Sequence, residues 1–112
     1  MTAPEIGEIL KLYTKHGWTL RRVLYSGESL PADVAEVLGD IDAESSDLDA
    51  LWFARASSSG NSAWELRALS ATPLAILEVV PDDADDDERQ AVFADIEERL
   101  RQMLVKGRPL AN

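Results

Sequence analysis

A chain of 112 residues that is 46% hydrophobic and 29% charged is long enough for one core and too apolar to stay disordered, so a single globular domain over residues 1–112 is expected. Its net charge of -10, from 21 acidic and 11 basic residues, argues against nucleic acid or an anionic membrane as a partner. With no cysteine, disulfides, thiolate nucleophiles and cysteine-ligated metals are excluded, which suits a cytoplasmic protein.

The first residues alternate apolar with charged side chains and hold no unbroken apolar run, so neither a signal peptide nor a membrane anchor is expected. Thr2 to Glu5 reads as a capping box with Pro4 in the first turn. A helix over 3–16 should follow, with Ile6, Ile9, Leu10 and Tyr13 on one stripe and Gly17 ending it. WTLRRVLYS, residues 18–26, is aromatic and β-branched between Gly17 and Gly27, a strand signature. Strict alternation sends Arg21 and Arg22 to opposite sides, which leaves its inward face open. Pro31 begins a short helix over 31–38 that carries Val34, Val37 and Leu38 and closes at Gly39.

Residues 40–49 hold five acids and no base and read as a loop. Three strands come next, 50–56, 63–70 and 74–80, joined by SSSGNS and by a turn around Ala71, Thr72 and Pro73. Links this short imply an antiparallel meander. The last helix, 86–106, aligns Val92, Phe93, Ile96, Leu100, Met103 and Leu104 on one stripe, with Gly107 and Pro109 as stop signals. The expected fold is α+β, a four-stranded, mainly antiparallel sheet with its helices packed chiefly on one face.

The densest acid run, residues 82–88, has six carboxylates. Asp85 and Glu88 make a second capping pair, and negative charge suits a helix start. A calcium loop needs glycine at its sixth position and glutamate at its twelfth. Counting from Asp83 puts Glu88 and Ala94 there, and counting from Asp86 puts Ala91 at the sixth. The strand directions of a meander also set the two acid runs at opposite ends of the sheet. With one histidine, His16, a zinc site would rest on carboxylates, so no metal or cofactor is expected.

GESLP, residues 27–31, approaches a nucleophile elbow around Ser29, but Pro31 replaces the second glycine and His16, at a helix C-terminus, would have to act as base. LRRVLYSGESLP, residues 20–31, resembles a short motif of the adenylate-forming enzymes, in which a strand leads through a glycine-glutamate turn into a helix. The resemblance covers a dozen residues, lacks the phosphate-binding motifs of those enzymes, and implies only a β-turn-α unit. SSSGNS has no lysine or arginine to support an anion and reads as a hairpin tip.

If Trp52, Ala54, Trp64, Leu66, Ala75, Leu77 and Val79 face the helices, alternation gathers Leu51, Phe53, Leu69, Leu74 and Ile76 on the other face of the sheet. A patch of that kind needs a cover. Either the first or second helix crosses to it, or a second molecule does. The second cover is the preferred expectation: a non-enzymatic, chaperone- or adaptor-like interaction module that forms a homodimer or binds a protein partner through those five residues. The chain is similar, at class level, to small acidic secretion chaperones, which are dimers of mixed α/β build, although its order of elements differs. The alternative is a small enzyme or ligand-binding domain with a pocket between sheet and helices, built from Tyr13, Tyr25, Trp18 or Trp64 and a carboxylate.

Overall fold

Thr2 Oγ1 accepts the amide of Glu5 at 3.3 Å, and from this cap α1 runs over Ala3–Lys15. The computed structural model describes residues 2–69 and 74–106. After α1 come β1 (Thr19–Tyr25), α2 (Ala32–Leu38), β2 (Asp42–Ser45), β3 (Ala50–Ala56), β4 (Asn61–Ala68), β5 (Ala75–Pro81) and α3 (Asp86–Lys106). Gly17 ends α1 with φ 85°, a left-handed conformation that glycine adopts without steric cost. The turn expected around Ala71 to Pro73 and the stop signals Gly107 and Pro109 lie outside the described residues. Among the described residues no helix is long and apolar enough to cross a membrane.

The fold is α+β, with five strands in the order β2-β1-β3-β4-β5. The expected four-stranded sheet therefore gains a member and becomes mixed, because β2 pairs parallel with β1. Strand β2 is the sequence DAES, exposed at every position. It has no apolar alternation to announce it. It exists because β1 offers a sheet edge and α2 supplies the crossover that parallel pairing requires. The β-turn-α unit implied by residues 20–31 is thus the first part of a β-α-β unit. β3, β4 and β5 form the expected antiparallel meander.

Helices cover both faces of the sheet, which corrects the one-sided arrangement. α1 and α2 pack on one face through Ile6 and Val34, which meet Val23, Leu51 and Phe53. α3 packs on the other through Phe93, Ile96 and Leu100, which meet Leu24, Trp52 and Leu66. The reason lies in β3: four successive residues, Ala50 to Phe53, are buried, so neighbouring side chains on opposite faces both demand cover. Met103, expected on the buried stripe of α3, stays exposed.

A β-bulge resolves the ambiguous phase of β1. Leu20 pairs with Phe53 and Arg22 with Trp52, which leaves Arg21 as an extra residue. Trp18, Leu20 and Val23 consequently all join the α1/α2 side of the core, while Leu24 joins the α3 side. Under unbroken alternation of the same residues, Trp18 and Leu20 would share a face with Leu24.

Candidate functional site

The five residues expected to form one exposed patch lie on both faces of the sheet. Leu51 and Phe53 are buried beneath α1 and α2, and Leu69 is half-buried beside them. Ile76 is buried against α3, with Leu74 half-buried next to it. The chain thus buries three of the five, half-covers the other two and divides them between two faces, which corrects their grouping as one interaction surface. Register explains the error. Leu66 pairs with Ile76 and Trp64 with Glu78, so even-numbered residues of β4 and β5 share a face. A turn one residue longer or shorter would have reversed β5.

The reversed phase leaves a different apolar strip in solvent. Ala75, Leu77 and Val79 point to the α1 side, where Leu77 is 51% and Val79 48% exposed. α1 reaches only as far as β4, through Tyr13, whose hydroxyl donates to Glu65 Oε2. Glu65 is the register partner of Leu77. Leu12 of α1, 55% exposed, lines the same hollow as Glu65. β5 is also the last strand of the sheet.

Its backbone adds to this. The Ala68 amide donates to Leu74 O and the Asp82 amide to Gly60 O, both at 2.8 Å. In an antiparallel ladder bonded and non-bonded pairs alternate, so the even-numbered residues of β5 are bonded to β4. Ala75, Leu77 and Val79 therefore turn their N–H and C=O groups to the outer edge. Pro81, at the next such position, has no N–H to offer.

The alternative pocket residues are only partly brought together. Tyr13 and Trp18 line a hollow with Leu12, His16 and Glu65, with a volume of about 190 Å³. Burial first, then the hydrogen bond to Glu65, pushes the Tyr13 phenol well above its ordinary pKa, so it remains a protonated donor. The Arg55 guanidinium lies 4.7 Å from the Trp18 ring centroid. Trp64 lies on the opposite face of the sheet, and Tyr25 does not line the hollow. His16 belongs to this hollow, while Ser29 sits in the segment leading into α2.

A second cavity, also of about 190 Å³, opens between α3 and the opposite face of the sheet. Arg21, Arg22 and Arg89 line it together with Trp52, Trp64 and Phe93. The bulge brings Arg21 and Arg22 to one cavity where strict alternation separates them. Doubled arginines in a strand whose alternation fails are the signal the sequence carries for it.

The acid runs are largely engaged in local structure. Asp85 Oδ1 accepts the Glu88 amide at 2.8 Å and caps α3. Asp82 accepts the Ser62 hydroxyl at 2.5 Å, and Asp49 accepts both the amide and the hydroxyl of Ser26 at 2.8 Å. Arg101 Nε donates to both Asp47 oxygens, at 2.9 and 2.8 Å, which holds the Asp47 carboxyl below the usual carboxylate range. Among the described residues no three histidine, aspartate or glutamate side chains gather as a metal site would require. No protein-family model matches this chain, and neither a curated protein nor a solved structure matches it.

Proposed function

We propose that this chain is a non-enzymatic interaction module, chaperone- or adaptor-like, that forms a homodimer by antiparallel pairing of β5 with β5 of a second copy. One observation carries the reading: Ala75, Leu77 and Val79 present outward N–H and C=O groups and exposed side chains without charge. Edge strands of soluble proteins are commonly guarded by charged side chains or by bulges. Here Pro81 is the guard at one end, and the one charged side chain of the strand, Glu78, turns to α3, where Arg99 binds it at 2.9 Å.

Two arguments favour a second copy as the occupant. A two-fold axis at Leu77 sets Leu77 against its own counterpart and Ala75 against Val79 of the partner. Residues with outward groups then meet only each other, with about six hydrogen bonds across the seam. The antiparallel arrangement also separates the acid runs. Residue 82 lies about 17 Å along the strand from the axis at ~3.4 Å per residue, so the two runs stand several screening lengths apart. Parallel pairing would bring them together. The absence of cysteine suits such a dimer to the cytoplasm.

Sedimentation over a dilution series tests this, with wild type beside Leu77→Lys and Val79→Pro. Both positions face solvent and the edge, so both variants should keep the monomer fold. Wild type is expected to dissociate on dilution, and the variants to remain monomeric throughout. A wild type that is monomeric across the series, or a dimer indifferent to Leu77→Lys, overturns the reading.

A further inference from the structure

Beyond self-association, we propose that the cavity between α3 and the sheet binds a small anion carried on a single aromatic ring, an aromatic carboxylate or phosphate. Three arginines and Asp42 line this cavity, so its walls carry a net charge of about +2, while the whole chain carries -10. In an acidic protein, cations gathered around one hollow form a local site for negative charge.

The arginines are available. Arg22 reaches Glu44 at 3.4 Å and Arg89 reaches Asp86 at 3.7 Å, with the acid side chains 60% and 97% exposed. Solvent-exposed pairs that long contribute little, so a bound anion displaces them at small cost. Arg21 has no ion-pair partner among the described residues. Its position is set by the bulge, and bulges commonly re-aim a side chain toward a site. The planar guanidinium donates to carboxylate or phosphate oxygens in pairs.

The floor selects for a ring. Trp52 lies 4.9 Å from Phe93 and Trp64 lies 4.8 Å from Phe93, centroid to centroid. Trp52 is pinned further by its Nε1–H, which donates to Glu97 Oε2 at 3.3 Å. These rings are therefore fixed before any ligand arrives, and rigid aromatic surface favours offset or edge-to-face contact with another ring. About 190 Å³ is small beside the pockets of ordinary cofactors, which limits the ligand to one ring with one anionic group.

The test is a titration of the whole protein, read by indole fluorescence and by calorimetry, with benzoate and phenyl phosphate as probes. Cyclohexanecarboxylate and inorganic phosphate supply the charge without the aromatic ring, and benzyl alcohol the ring without the charge. Saturable binding of benzoate or phenyl phosphate is expected, with each control at least about tenfold weaker. Arg21→Gln, its fold verified by circular dichroism, should bind about tenfold more weakly, as loss of a charge-assisted contact implies. Absence of saturation by either ring-bearing anion up to about 10 mM, or equal affinity in Arg21→Gln, overturns the site. Equal binding of the ring-free anions or of benzyl alcohol overturns the ligand class.

Discussion

The ring of Tyr13 lies nearly parallel to that of Phe53, centroids 4.0 Å apart and planes at 15°, while its hydroxyl donates to Glu65 on the next strand. One side chain of α1 thereby spans β3 and β4. Phe53 is 1% exposed and supports both Tyr13 and the α1 layer. Phe53→Ala is expected to cost about 3–5 kcal/mol in urea unfolding. Leu77→Ala, on the exposed side of β5, should stay within about 0.5 kcal/mol when both proteins are unfolded at a dilution where wild type is monomeric. Similar losses at the two sites would contradict the assignment of faces.

The Tyr13 hydroxyl gives stability a pH dependence on the alkaline side. Burial and the Glu65 contact raise its pKa above the ordinary 10.0. Above that pH the unfolded chain loses the proton while the folded chain retains it, so the unfolded state binds fewer protons and stability falls as pH rises. The contribution is complete below pH 10 and is lost through the folded pKa. Urea midpoints at about pH 9 and about pH 11 should differ more in wild type than in Tyr13→Phe. At neutral pH that variant should lose about 1 kcal/mol, the scale of one hydrogen bond.

The bulge makes a prediction about deletion against substitution. Removing Arg21 takes out the extra residue, so Trp18, Leu20 and Val23 fall at alternate positions and stay on the α1 side. That deletion should cost less than about 1 kcal/mol. Removing Thr19 instead sets Trp18 next to Leu20 and turns it from the α1 side, and should cost at least about 3 kcal/mol, the scale of losing a large buried side chain. Arg21→Ala keeps the residue count and should change stability by no more than about 0.5 kcal/mol. An Arg21 deletion as costly as the Thr19 deletion would remove the bulge from the folding argument.

Within the acid run, the hydrogen-bonding pattern distinguishes one carboxylate from its neighbours. Asp85 binds the Glu88 amide, so Asp85→Ala should destabilise by about 1 kcal/mol. Asp83→Ala removes no hydrogen bond among the described residues and should be close to neutral in the same unfolding assay.

Much of the fold is legible along the chain because local chemistry writes it there. The Thr2 cap, the Asp85 cap, the glycine after α1 and the apolar spacing of α3 place the ends of those helices within a residue or two. β2 is not legible: DAES has no large apolar residue and no β-branching, and it pairs only because β1 leaves an edge beside it. Nor is the Arg21 and Arg22 cavity, since a single extra residue in β1 reverses the alternation on which any reading of faces depends.

The sequence by itself determined the three helices, four of the five strands of the sheet, the meander of β3 to β5, and that the acids of residues 82–88 open a helix. Only the tertiary structure decided which side chains face which layer. β5 is apolar at both parities, with Ile76 and Val80 on one side and Ala75, Leu77 and Val79 on the other. Alternation therefore cannot choose between its faces. The choice fell to the pairing of Leu66 with Ile76, and with it went the identity of the strip left in water.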